Sequence, residues 1–205
     1  MEKRFNITGK CIPNEHYMAD VSEKLARVYA MVEYGDYFII NRPRQYGKTT
    51  TLFTLSDMLR KRGYLVLTMS FGGVGDLIFQ DEKVFSVGFV NLLAKYTEVY
   101  APELEVGLRD IAPTINSLSL LADLITKFVS RTDKKVVVMI DEVDKSSNNQ
   151  LFVSFLAMLR DKYLERDEIK TFHSVVLAGV HDVKSLKIKL RPNEEQRLFK
   201  KVCQW

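Results

Sequence analysis

Two groups of charged and hydroxyl side chains could carry chemistry in this sequence. The first is the segment Arg42-Pro43-Arg44-Gln45-Tyr46-Gly47-Lys48-Thr49. It keeps the spacing of the pattern G-x-x-x-x-G-K-[ST], in which backbone N–H groups surround phosphates at a helix N-terminus, except that Arg42 replaces the first glycine. We interpret the segment as a nucleotide-binding loop. The alternative is a basic strand-to-helix turn that binds no ligand.

Each residue type in this loop has a physical reason. Gly47 has no Cβ, so its backbone can approach a phosphate group closely. Lys48 would neutralise the β- and γ-phosphates, and the Thr49 hydroxyl would complete the coordination shell of a Mg²⁺ ion. The candidate nucleotide contacts are Arg42, Pro43, Arg44, Gln45, Tyr46, Gly47, Lys48, Thr49 and Thr50.

The second group is the acidic pair Asp141-Glu142, which follows five apolar residues at 136–140. Ligands of open α/β sheets bind at the carboxyl ends of the strands, where these two carboxylates are expected. Asp141 is predicted to hold Mg²⁺ through a water, and Glu142 to accept a proton from the attacking water or to orient it. The alternative is a solvated loop with helix-capping acids.

The elements that must position these residues alternate along the chain. Apolar runs predict strands at 37–40, 64–70, 136–140 and 172–178, and helical spacing predicts helices at 22–34, 50–62, 81–100, 117–131 and 149–164. A loop containing Pro102 and Pro113 is predicted between the third and fourth helices. This alternation predicts an α/β fold with a mostly parallel sheet that helices cover on both faces.

The composition is that of an ordinary globular protein. The chain has 205 residues, of which 46% are hydrophobic and 27% charged, which excludes disordered and collagen-like classes. Cys11 and Cys203 form no disulfide framework and no zinc-binding spacing, so we expect a reducing, cytoplasmic setting. No signal peptide or membrane-spanning apolar run is visible, and we expect no membrane partner.

The charge is distributed unevenly. Thirty basic and 26 acidic residues give a net charge of +4. Residues 184–205 contain seven basic residues and two glutamates, a net +5, which leaves −1 for residues 1–183. The bulk charge therefore does not support DNA as a partner.

The two groups together resemble the bacterial AAA-ATPase-like (AAA-like domain) group of P-loop proteins, which is related to the AAA+ and STAND ATPases. Its phosphate loop has the form R-P-R-x-x-G-K-[ST], which residues 42–49 match. They would be the Walker A motif, and Asp141-Glu142 the Walker B motif. The segments at 16–20 and 177–182 also resemble this group, and the similarity runs from about residue 5 to about residue 195.

The resemblance implies a three-layer sandwich with strand order 5-1-4-3-2, Mg-ATP at the carboxyl ends of the first and third strands, and a helical lid after a fifth strand. Many members carry a C-terminal nuclease-like domain, so such a domain or self-association is implied for the full-length protein. We find four core strands and no lid, sensor or finger arginine. We therefore expect the fifth strand and the lid to be absent, and whether ATP is hydrolysed or only bound stays open.

These observations predict three segments: an N-terminal extension and helix at 1–35, a P-loop ATPase core at 36–183, and a basic tail at 184–205 that is the remnant of a truncation. The predicted function is an Mg-ATP-binding switch within a longer protein, with Glu142 and Lys48 as catalytic residues. The alternatives are a P-loop kinase and a non-catalytic nucleic-acid-binding or assembly module.

Overall fold

The core of the molecule is one parallel sheet. A computed structural model describes residues 3–5, 11–12, 14–17, 20–41, 47–71, 75–143, 149–179 and 202–203. The strands are β1 (Tyr37–Asn41), β2 (Leu65–Ser70), β3 (Val136–Asp141), β4 (Ser174–Gly179) and β5 (Val202–Cys203). Their order is β2-β3-β4-β1-β5, and every neighbouring pair is parallel. The predicted order 5-1-4-3-2 is confirmed.

Helices connect the strands. They are α1 (Ser22–Glu33), α2 (Lys48–Lys61), α3 (Glu82–Tyr100), α4 (Pro102–Glu105), α5 (Leu108–Ile111), α6 (Leu118–Ser130) and α7 (Gln150–Leu164), with 3-10 turns at Asp76–Phe79 and Ala112–Thr114. The prediction of a plain loop around Pro102 and Pro113 is wrong. Pro102 is the first residue of α4, where a missing backbone N–H breaks no helical hydrogen bond.

The sheet is buried on both faces. Alternate side chains of the strands pack on one face against α3, α6 and α7, and on the other face against α1 and α2. The first face contains a cluster of six phenylalanine rings, which are Phe71, Phe79, Phe85, Phe89, Phe152 and Phe155. Burial on both faces explains why the strands are continuous apolar runs instead of alternating patterns.

The expectation that the fifth strand is absent is wrong. β5 pairs in parallel with β1, with Val202 opposite Ile39 and Cys203 opposite Ile40. Two residues are too few to form the apolar run by which the other strands are recognised, and they lie in the basic segment 184–205. The predicted absence of a lid concerns residues 180–201, which lie outside the described residues.

Parallel pairing gives the sheet two chemically different edges. The strands end at one edge, which we name the carboxyl edge, and begin at the other, which we name the amino edge. Helices α2, α6 and α7 run toward the amino edge and end near the start of the next strand, which is β2, β3 and β4 respectively.

None of the helices in the described ranges is both long enough and apolar enough to cross a lipid bilayer.

His173 lies at the amino edge, directly before β4. Its backbone oxygen would be 2.9 Å from a Cβ atom on Gly35, whose φ of +69° also favours glycine. The ring lies 5.9 Å from the ring of Tyr64, and Nε2 is buried without a hydrogen-bond partner among the described residues. Burial, together with the nearby charge of Lys135, lowers the pKa of His173 below its ordinary value.

Protonation of His173 should therefore destabilise the fold. A histidine whose pKa is lower in the folded state than in the unfolded state makes the free energy of unfolding fall as the pH drops below about 6.5. His173→Phe keeps a ring against Gly35 and Tyr64 but removes the titrating group. We expect the Tm of this variant to fall less than that of the wild type between about pH 7.5 and pH 5. An equal fall in Tm for both proteins would contradict this assignment.

Candidate functional site

The first turn of α2 and the end of β3 meet at the carboxyl edge. Thr49 Oγ1 donates a hydrogen bond of 2.9 Å to Asp141 Oδ2. Thr49 lies on the helix that follows β1, and Asp141 ends β3. Because β4 lies between β1 and β3 in the sheet, the hydrogen bond joins parts of the chain that follow non-adjacent strands. The structure thus brings together the last residue of the phosphate-loop pattern and the first residue of the acidic pair, as the sequence predicts.

Gly47 begins this arrangement. It is the N-cap of α2, its φ is +74°, and among the described residues, its chain neighbours aside, no atom lies within 4 Å of the place where a Cβ would be. A side chain is strained at this φ, which gives a second reason for glycine besides close approach of a ligand. The loop residues Arg42, Pro43, Arg44, Gln45 and Tyr46 lie outside the described residues, so their predicted nucleotide contacts stay predictions.

Glycine also shapes the start of α2. Gly47 has no side chain with which to cap the helix, whereas Asp81 and Asn149 cap α3 and α7 by accepting hydrogen bonds from backbone N–H groups. The first N–H groups of a helix have no intrahelical acceptor and carry a partial positive charge. The start of α2 is therefore suited to an anion such as a phosphate.

Asp141 is a buried carboxylate, with 7% of its surface exposed. Burial raises its pKa above the ordinary value. Three groups act in the opposite direction by favouring the ionised form: the Thr49 hydroxyl, the backbone N–H of Glu142 at 2.8 Å from Oδ1, and the charge of Lys48. Burial, together with the neighbouring charge of Glu142, outweighs these three groups, so the fold holds a carboxylate that would be better solvated in the unfolded chain.

Glu142 follows β3 in an unusual backbone conformation. Its φ is +59°, the only positive value at a non-glycine residue in the described part of the chain. Such a conformation costs about 1–3 kcal/mol and occurs often at functional sites. The hydroxyl of Ser70, at the end of β2, donates a hydrogen bond of 3.2 Å to Glu142 Oε2.

Ser70 is a further candidate site residue, which neither motif includes. It lies opposite Asp141 in the parallel register of β2 and β3, which places it beside the acidic pair. The signal was present in the strand order that the resemblance implies, because that order makes β2 and β3 neighbours. A polar residue at the end of β2 must then lie beside the acids at the end of β3.

Thr50 has a contact that was not predicted. It is buried, and its Oγ1 accepts a hydrogen bond of 3.0 Å from the backbone N–H of Cys11. The described part of the N-terminal segment is also held by His16, whose Nδ1 accepts 2.9 Å from the backbone N–H of Ile12. The Thr50 side chain thus joins the N-terminal segment to α2, and its role as a nucleotide contact stays a prediction.

The oxygen atoms gathered here fit a small divalent cation. A hydroxyl and a carboxylate are ligands that Mg²⁺ accepts, and this ion usually keeps several waters and binds substrate phosphates. The described ranges contain no cluster of three or more His, Cys, Asp or Glu side chains that could hold a metal ion without such help. Thr49 and Asp141 are candidate metal ligands of the types that suit a site in which waters and phosphate oxygens supply the other ligands.

The chain is similar to one protein family and to several solved structures. The family model described as "AAA-like domain" matches residues 14–192. Cdc6p from Pyrobaculum aerophilum is similar in structure, with a TM-score of 0.53 and 17% sequence identity, over 91% of this chain and 45% of that chain. The ORC1 protein of Aeropyrum pernix, solved in complex with DNA, has a TM-score of 0.50 and 11% identity over the same shares of the two chains.

The solved structures are similar to the chain in fold but distant in sequence. At 17% and 11% identity the two solved structures support the fold alone. The chain spans less than half the length of both of them. No curated protein matches the chain.

The buried charge of Asp141 leads to a stability prediction. Asp141→Asn removes a desolvated carboxylate, while its amide oxygen can accept from the Glu142 N–H and its NH2 group can donate to the Thr49 hydroxyl, so we expect a higher Tm than in the wild type at neutral pH in EDTA. The control is Asp123→Asn on α6, which is exposed and should leave the Tm nearly unchanged. A lower Tm for Asp141→Asn would show that the ionised carboxylate stabilises the fold.

Proposed function

Because the chain belongs to the AAA-like domain family, we propose that it binds Mg-ATP at the carboxyl edge and hydrolyses it slowly as a conformational switch. The observation that carries the proposal is the hydrogen bond of 2.9 Å between Thr49 and Asp141. This bond joins the two motifs whose residue types suit a phosphate chain and its metal ion. The family match supports the resemblance on which the sequence analysis relied.

Binding follows from the local charges. The triphosphate would lie against the first turn of α2, where Gly47 leaves space and the backbone N–H groups favour negative charge. The Lys48 ammonium would neutralise phosphate oxygens. Thr49 would hold Mg²⁺ through its hydroxyl and Asp141 through a water. When bound, Mg²⁺ would supply positive charge that stabilises the transferring phosphoryl group.

Hydrolysis would depend on Glu142. We assign its carboxylate the role of accepting a proton from the attacking water or of orienting that water. The hydrogen bond from Ser70 positions this carboxylate, and Glu142 adopts its positive φ directly after the end of β3. In this proposal Asp141 holds the metal ion, and Glu142 accepts a proton from the attacking water or orients it.

The first test is Lys48→Ala. The substitution removes an ionic hydrogen-bond donor whose contribution is about 1.5–3 kcal/mol, so the affinity for Mg-ATP measured by calorimetry should fall about 10- to 100-fold. Lys61→Ala, at the exposed other end of α2, is the matched control and should bind like the wild type. The absence of Mg²⁺-dependent ATP binding in the wild type would end the proposal. So would equal affinities for Lys48→Ala and the wild type.

The second test is Glu142→Gln. This variant should bind Mg-ATP as the wild type does but lose turnover by a factor of about 10²–10⁴, the usual contribution of a general base. Release of inorganic phosphate under saturating Mg-ATP is the measurement. Equal turnover in both proteins would remove Glu142 from the proposed role, and weaker binding would indicate that it contacts the nucleotide or the metal.

The same assay separates the alternatives. A P-loop kinase would transfer the γ-phosphate to an added acceptor, whereas an ATPase releases it to water. A non-catalytic nucleic-acid-binding or assembly module would show no turnover that Glu142→Gln abolishes. We also propose the division into 1–35, 36–183 and 184–205, a cytoplasmic setting, and partnership with a nuclease-like domain or with a second copy.

A further inference from the structure

A basic trough lies at the amino edge of the sheet, opposite the proposed ATP site. It consists of two open cavities of about 640 and 330 Å³ that share the turn Asp133-Lys134-Lys135. One cavity extends to the end of α2 and the start of β2, and the other to the end of α7 and the start of β4. The charged residues lining the trough are Arg62, Arg131, Asp133, Lys134, Lys135, Arg166, Asp167 and Lys170.

The trough carries a high local charge. Six cationic side chains and two carboxylates leave a net +4, although residues 1–183 together sum to −1. Lys170 Nζ lies 3.9 Å from Asp133 Oδ1, and both side chains are exposed, so water screens that pair. The cations come from three separate parts of the chain, and only the fold assembles them on one surface.

Helix dipoles explain some of these cations but not all. The C-terminus of a helix carries a partial negative charge that favours basic residues in the last turn. Arg62 and Arg131 directly follow α2 and α6, and Arg166 lies two residues after the end of α7, so the helix ends are sufficient to explain these three cations. Lys134 and Lys135 lie beyond the C-cap of α6 in the turn that leads to β3. Both are exposed, and the helix end does not require them.

Several cations are already held in place. Arg131 donates to the backbone oxygens of Glu103 and Val106 at 3.2 and 3.4 Å, and Lys170 donates to the backbone oxygen of Thr132 at 2.7 Å. Arg166 stacks on the ring of Tyr163 at 4.1 Å. A guanidinium has five donors, so these contacts leave others for a ligand. Groups that are already ordered lose less conformational entropy when they bind.

We propose that this trough binds the phosphodiester backbone of a nucleic acid. An acidic protein segment fits it less well, because protein partners rely on apolar anchors at the centre of an interface. The aliphatic and phenylalanine side chains that line the trough, Val129, Val136 and Phe172, are at most 2% exposed. A row of cations and N–H donors whose aliphatic and phenylalanine neighbours are buried is suited to phosphate contacts.

The test measures binding of the 205-residue chain to a fluorescent DNA duplex of about 20 base pairs by anisotropy, from about 50 to 200 mM salt. The charge-reversal variant Lys134→Glu/Lys135→Glu should weaken binding at least about 10-fold and lower the log–log salt slope by about 2. Lys134→Ala/Lys135→Ala, which disturbs the fold less, should lower the slope in the same way. Both variants should bind Mg-ATP like the wild type, which also verifies that they are folded.

The matched control is Lys83→Glu/Lys95→Glu. It makes the same change in net charge on exposed positions of α3, outside the trough, and should bind the duplex nearly as the wild type does. Single-stranded RNA of equal length, as a second probe, identifies which nucleic acid binds better. Three results would overturn the proposal: no salt-dependent binding by the wild type, an equal loss in the control variant, or displacement of the duplex by poly-glutamate as effectively as by unlabelled DNA.

Discussion

Parallel pairing of strands that are buried on both faces is the constraint from which the rest of this molecule follows. Such a sheet needs a crossover between consecutive strands, and α2, α6 and α7, the last long helices of these crossovers, end at the amino edge. The carboxyl edge therefore collects helix N-termini and strand ends, and the amino edge collects helix C-termini. The two edges differ in electrostatic character before any side chain is considered.

The side chains increase this difference at both edges. Acidic and hydroxyl groups end β2 and β3 beside the positively polarised start of α2, and there the Thr49–Asp141 hydrogen bond forms. Cations follow α2, α6 and α7 at the other edge, and the turn at Lys134 and Lys135 adds charge beyond what the helix ends favour. One topology thus provides a surface suited to a metal-bound phosphate chain and another suited to a phosphate backbone.

The carboxyl edge is held in a conformation that is not optimal for stability. Burial opposes the charge of Asp141, and the backbone of Glu142 occupies a region that non-glycine residues avoid. The surrounding core offsets these costs, because the apolar strands and the phenylalanine cluster on the α3 face bury a large hydrophobic area. Strain and desolvation concentrated in two adjacent residues are typical of a site that is selected for function.

Local pattern explains why most of the fold could be predicted. Apolar runs identified β1 to β4, and helical spacing identified α1, α2, α3, α6 and α7 within about two residues. β5 was missed because two residues carry no periodicity, and α4 and α5 because four-residue helices are too short to show one. Asp141 and Lys48 could be recognised because each belongs to a compact motif. Ser70 belongs to no such motif, and a serine at a strand end gains significance only when the strand order places it beside the acids that follow β3.

The amino-acid sequence by itself determined the fold class, the two motifs and their order along the chain, because these are carried by contiguous residues with characteristic spacing. The tertiary structure decided which distant residues meet: Thr49 with Asp141, Ser70 with Glu142, and Cys11 with Thr50. It also decided where charge accumulates, since the bulk value of +4 does not reveal that six cations from three segments share one trough. The physical reason is that electrostatic interactions depend on distance in space, and a linear sequence specifies that distance only after strand order and register are established.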